Sequence, residues 1–167
     1  MKSPLQIIVF VSVFIVFSCS TKVEKPQDVG RLVFNMLKNI KDKESYMSKF
    51  ISLEKMRVYL NDDEMNGVDE KGKNHLTNLD KSVIEAKKLK KYNYLIEKGK
   101  EININWEKIE FNDFAYRLTD WDGIKGCKGV LSFKTDSTIY KIIKIEALRF
   151  RGEYHLLTIK GGLDKIY

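Results

Sequence analysis

The feature that most limits what this chain can fold into is a change of hydrophobic period at Gly99. Before it, apolar residues recur every three to four positions, as on helices; after it they alternate, as on strands. Pro26 suits the first turn of a helix, and from Gln27 to Lys41 the residues Val29, Leu32, Val33, Met36, Leu37 and Ile40 share one arc. Arg31, Asn35, Lys38 and Lys41 take the other side, with Phe34 the exception. Lys43 to Ile51 and Leu53 to Asn61 read as two short helices, the second capped by Ser52. Asp62 to His75 is charged, glycine-containing and without period, so a loop is expected there. Its carboxylates lack the alternating-oxygen spacing of a calcium loop, and no metal is expected. Thr77 or Asp80 caps the next helix, which should reach about Glu97. Ala86, Leu89, Tyr92 and Ile96 would point inward, Lys87, Lys88 and Lys91 would be solvated, and Gly99 would end it.

Beyond Gly99, Ile109 and Phe111 alternate, then Phe114, Tyr116 and Leu118 alternate in the opposite phase. One extra residue near Asn112-Asp113 reconciles them, which predicts a β-bulge and a bent strand. Asp120-Trp121-Asp122-Gly123 opens a glycine-rich turn expected to last until Gly129, with Cys127 a small residue inside it. Val130–Lys134, Ile139–Arg149 and Tyr154–Lys160 are the remaining strands, with Leu157 and Ile159 inward and Gly161-Gly162 as the end. The expected fold is α+β, with N-terminal helices packed on a curved four-stranded antiparallel meander.

The extreme N-terminus follows a different logic. Met1-Lys2 precedes an apolar run from Ile7 to Phe17, broken by Ser12, and then Ser18-Cys19-Ser20. The run is too short for a membrane-spanning helix, which needs about 20 residues. This stretch resembles a bacterial lipoprotein signal with its lipobox. The resemblance implies cleavage before Cys19, a diacylglycerol thioether on its sulfur, and fatty acylation (palmitate-type) of its amine. One acyl chain gives only marginal membrane binding, about 10⁴ M⁻¹, so two or three chains make attachment durable. The expected organisation is a signal peptide over 1–18, a polar tether over 19–25 and one α+β domain over 26–167. The expected location is the cell envelope, with the outer membrane favoured.

Removing the signal leaves 149 residues, enough for one well-packed domain. If Cys19 carries lipid, Cys127 has no partner for an internal disulfide, and stability must come from packing. The net charge of +7 would suggest nucleic acid in the cytoplasm. An envelope address turns it towards anionic headgroups, an acidic partner or solubility, and no nucleic-acid partner is expected.

The helix Pro26–Lys41, the helix Asp80–Glu97 and the hairpins from Trp106 to Ile159 resemble the cystatin-like or NTF2-like group, in which a curved sheet wraps a long helix. The run from Trp106 through Asp122-Gly123, Gly126-Cys127-Lys128-Gly129 and Tyr140 to Gly152-Glu153-Tyr154-His155-Leu156 is similar to uncharacterised small lipoproteins of gram-negative bacteria. The NTF2-like resemblance implies a cone-shaped cavity, used for catalysis in some members and for binding in others, so fold alone does not choose. Asp113, Tyr116 and His155 are the candidate cavity residues, Asp113 and His155 forming a candidate acid–base pair. The alternative is a solvated aspartate and a hydrogen-bonded histidine. Trp106, Tyr116 and Trp121 are candidate aromatic lining, or else core and turn aromatics. No Ser–His–Asp ordering, metal-ligand cluster or phosphate-binding glycine loop occurs, and no cofactor is expected. The leading expectation is therefore a non-catalytic envelope module that contacts an unidentified protein or glycan. The alternatives are a small-ligand binder or enzyme using the cavity, and an immunity-type inhibitor of an acidic partner.

Overall fold

The computed structural model describes residues 22–62 and 68–166; Cys19 and the signal-like stretch lie outside them. Five helices precede five strands among the described residues. Helix α1 is Pro26–Lys38, α2 Lys43–Ser48, α3 Leu53–Leu60, α4 Glu70–Thr77 and α5 Lys81–Glu101. A single 3₁₀ turn at Trp106–Lys108 leads into β1 Glu110–Trp121, β2 Ile124–Thr135, β3 Thr138–Phe150, β4 Glu153–Ile159 and β5 Leu163–Ile166. Four of the helices start on a side-chain cap: Asp42, Ser52, Asp69 and Asp80 accept the N–H of Ser45, Lys55, Lys71 and Ser82. Each satisfies a helix N–H that would otherwise have no intrahelical partner. α1 starts on Pro26 instead, with Asp28 in its first turn and Lys38 in its last, both favourable to the helix dipole.

The sheet is antiparallel throughout, in the order β1-β2-β3-β4, with β5 also pairing β3. β3 is thus flanked on one side by β2 and on the other by two strands end to end. β4 covers Ile145–Phe150 and β5 covers Ile139–Ile142. The α+β arrangement is as expected, but the four-stranded meander becomes five strands, because the chain resumes the ladder after Gly161-Gly162. The bulge expected near Asn112-Asp113 is present, between Phe111 and Asp113. Two more register shifts follow. One lies opposite Gly129–Leu131, where Lys144 adopts φ 65°; the other falls at Leu157 on β4. The last splits the expected phase: Ile159 enters the larger core as expected, with Tyr154 and Leu156, while Leu157 turns to the other face.

Helices cover both faces. α1 lies across one, where Val29, Val33, Met36 and Leu37 meet Phe114, Cys127, Leu131, Ile145, Ala147 and Leu156. On the other face Leu53, Met56 and Leu60 of α3 form a smaller core with Ile124, Leu148 and Phe150. α5 runs beside the β4–β5 edge: Leu95 joins the larger core, Ile84 packs on the smaller one, and the Leu163 N–H donates to the Tyr94 hydroxyl at 3.2 Å.

Three further expectations are corrected. The Asp62–His75 loop contains α4, whose Gly72 abuts Asp122 and whose capping Asp69 donates its N–H to the Asp122 carbonyl. Gly126 and Gly129 lie inside β2, not in a turn. A Cβ on Gly126 would stand 2.4 Å from the Ala147 carbonyl oxygen, and one on Gly129 would stand 2.3 Å from the Phe114 ring. The turn is only Asp122-Gly123, both at positive φ, as a two-residue hairpin requires. α5 passes through Gly99, where the Trp106 indole occupies the space of a side chain, and it is rotated from the expected arc. Lys88 is buried and Lys91 half-buried, while Ala86 is exposed.

The expected tether is partly docked. The Val23 carbonyl accepts the Tyr154 N–H at 2.6 Å, Val23 packs on the larger core, and Lys22 pairs with Glu153 at 3.3 Å.

Candidate functional site

The face of the sheet not covered by α1 carries an open, basic groove. Strand alternation places Arg117, Lys128 and Glu146 in one cross-strand row, since Arg117 is opposite Lys128 and Lys128 opposite Glu146. Glu146 is only 8% exposed. Lys128 Nζ lies 3.4 Å from one of its carboxylate oxygens and Lys160 Nζ 3.0 Å from the other. A buried carboxylate needs such partners, and in return it holds both ammonium groups in fixed positions.

Three concavities meet at Glu146 and Lys160. The largest, about 610 Å³, runs over β1 to β3 and is flanked by Tyr116, Arg117, Lys128 and Lys144. A second, about 370 Å³, lies under α4, between His75, Leu76, Trp121 and Leu157. A third, about 270 Å³, continues to Lys87, Lys88 and Lys91 on α5. Together they are lined by seven cations, Lys87, Lys88, Lys91, Arg117, Lys128, Lys144 and Lys160, against the carboxylates Asp122 and Glu146. Several of the lysines are structurally engaged beyond the Glu146 pairs. Lys128 lies 4.7 Å from the Trp121 ring centre, and Lys88 is held by Glu85 at 2.9 Å and by the Phe50 ring. Burial brings the Lys91 ammonium down to about 8, against the opposing pull of Asp164, and it donates to the Gly161 carbonyl. The groove is therefore suited to an anionic group presented on a partly apolar body, with Leu76, Trp121 and Leu157 as its apolar wall.

The residues expected to share a cavity are dispersed. Asp113 is exposed at the bulge of β1 and opposite Ser132; His155 is on β4, opposite Leu148. β2 and β3 separate their strands, so no acid–base pair forms between them. His155 is half-buried between Tyr59 and Phe150, with ring centres at 5.2 and 6.1 Å, and its Nε2 has no hydrogen-bond partner. Burial, then the nearby Lys55 charge, lowers its proton affinity. Tyr116 borders the first concavity, but its ring is stacked on Phe114 and faces the α1 side of the sheet. Of the three candidate lining aromatics, Trp106 is core, packed on Phe133 and Gly99, Tyr116 turns its ring to the α1 face, and Trp121 lines the groove. Cys127 is fully buried, and burial pushes its thiol up to about 11, which opposes nucleophilic use. Among the described residues no cluster of three or more His, Cys, Asp or Glu side chains is placed to hold a metal ion.

Sequence reasoning missed Glu146, although one signal was present. It is the sole carboxylate in the apolar stretch Ile139–Arg149, where a central strand leaves little room for an unpaired charge. Comparison with known proteins adds no assignment: no family model, no curated protein and no solved structure matches this chain.

Proposed function

We propose that the chain is a lipid-anchored envelope protein, held to the membrane through Cys19, whose domain is a non-catalytic binding or accessory module for an anionic partner. The anchor reading rests on the apolar run Ile7–Phe17 followed by Ser18-Cys19-Ser20. The binding reading is carried by one observation: buried Glu146 pins Lys128 and Lys160 in a groove that five further cations line. α1 lying across a bent antiparallel sheet supports a cystatin-like or NTF2-like assignment. The space between α1 and the sheet, where that group would have its cavity, is occupied by Met36, Phe114, Phe133 and Tyr154. That filling favours a surface site over a small-ligand or enzymatic cavity. A protein or glycan bearing carboxylates, sulfates or phosphates is the partner class the groove suits.

Two measurements test the two halves. The intact mass of the mature protein from its native host should correspond to a diacylated or triacylated chain beginning at Cys19; an unmodified N-terminus elsewhere rejects the anchor. A photo-crosslinking residue at Arg117 should enrich a specific partner in intact cells, and the same residue at Asp136, on the β2–β3 turn, should not. Equal enrichment at the two positions rejects the groove as the binding site.

A further inference from the structure

We infer that the end of the sheet carrying Leu118 and Tyr116 rests in the membrane interface, so that the domain sits directly on the bilayer. This inference rests on the lipid-anchored reading of Cys19. Val23 is fixed by its hydrogen bond to Tyr154, and Lys22 by its pair with Glu153. Four residue steps separate Cys19 from Val23, a fully extended reach of about 13–14 Å. That distance is smaller than the domain, so the surface next to Val23 has to lie against the headgroups.

That surface has a composition suited to the position. Tyr154 is opposite Arg149 at the turn end of the β3–β4 hairpin, beside the β1–β2 turn. By strand alternation, Tyr116, Leu118, Lys125 and Arg149 share the face of Tyr154. α1 covers this face only as far as the Gly30–Phe114 contact; four residues further along β1, Leu118 is 66% exposed, the most exposed large hydrophobic side chain among the described residues. Tyr116, at 37%, is beside it, and an amphipathic ring is favoured at headgroup depth. Lys125 and Arg149 flank the pair, but Asp120 lies on the same row and Glu153 neutralises Lys22. Only one net positive charge is left on this set, and insertion of Leu118 with Tyr116, more than electrostatic attraction, makes the contact. Association with the bilayer surface should accordingly resist salt.

The test uses the full-length lipidated chain, purified from membranes and reconstituted in vesicles of phosphatidylethanolamine and phosphatidylglycerol. An environment-sensitive fluorophore is placed at Leu118→Cys or at Asp136→Cys, on the turn at the far end of β2; buried Cys127 does not compete for the label. Headgroup-nitroxide lipids should quench the probe at 118 several-fold more than the probe at 136, with a blue shift at 118 alone, both unchanged in high salt. Equal quenching at both positions on vesicle-bound protein overturns the inference and leaves the anchor intact. A chain of unmodified mass that fails to join vesicles removes the anchor and this inference together. Shielding at 118 that appears without lipid and grows with protein concentration assigns the surface to a second copy, and overturns it as well.

Discussion

Phe114 is held between two glycines. A Cβ on Gly30 of α1 would lie 2.3 Å from its Cγ, and a Cβ on Gly129 of β2 would lie 2.3 Å from its Cζ. The ring therefore has no direction in which to retreat. Gly30→Ala should gain up to about 1 kcal/mol of helix propensity yet lose about 1–3 kcal/mol to overpacking, for a net loss of stability. Chemical denaturation of the variant and of Gly30→Ala with Phe114→Ala checks this. In the pair, the alanine at 30 should cost less than it does in the parent chain, because the ring it opposes is gone and only the contact with the Cβ of residue 114 remains. His155 makes a second prediction at this scale. Its folded-state proton affinity is lowered, so its contribution to stability is complete above the ordinary histidine value of 6.5 and is lost as pH falls through the lower, folded-state value. The thermal midpoint should therefore drop from pH 7 to pH 5 more in the parent chain than in His155→Leu, which also removes the unpartnered Nε2. Equal drops would mean that other groups carry the acid sensitivity.

At the scale of elements, α5 is the clearest case of a helix whose position was legible and whose rotation was not. A cap at Thr77 or Asp80, of which the structure takes Asp80, and a helix through Tyr92 can be read from the residues. Which face turns inward cannot, since apolar residues occur around much of this lysine-rich helix. Packing resolves it with Lys88, whose stem is long enough to cross the apolar layer and bring its charge to Glu85 and Phe50. Lys88→Glu should cost about 2–3 kcal/mol, by burying an unpaired carboxylate beside Glu85, while Lys87→Glu, on the exposed side, should stay within about 0.5 kcal/mol. Urea titration of both separates the observed rotation from the expected one, which would make the two substitutions equally mild. The strands show the same division. The bulge near Asn112-Asp113 was legible as a change of phase, a purely local pattern. β2 through Gly126 and Gly129 was not, because those glycines answer to an Ala147 carbonyl and a Phe114 ring that are distant in sequence. The groove was hidden for a related reason: Arg117, Lys128 and Glu146 come from three strands and Lys160 follows a fourth, and no spacing within any one of them signals the set.

For the whole molecule, the division of one β3 edge between β4 and β5 sets where the fold opens first. β5 has four residues, three of them with exposed side chains, and is held by its ladder to Ile139–Ile142 and by the Tyr94 hydroxyl. Backbone amides of Leu163–Ile166 should exchange with solvent orders of magnitude faster than those of β2 and the β4-paired half of β3. Hydrogen exchange followed by mass spectrometry checks this, and uniform protection across the sheet would show that β5 opens only with the rest. Opening has a consequence for association. Release of β5 uncovers the backbone of Ile139-Tyr140-Lys141-Ile142, a β-prone segment carrying one charge, on a strand whose other edge is already ordered by β2. Such an edge is a template for another chain. Four residues at the close of the sequence thus act as a cap against aggregation, and at high concentration a variant that loosens β5, such as Leu163→Asp, should form β-rich aggregates before it loses its native helices.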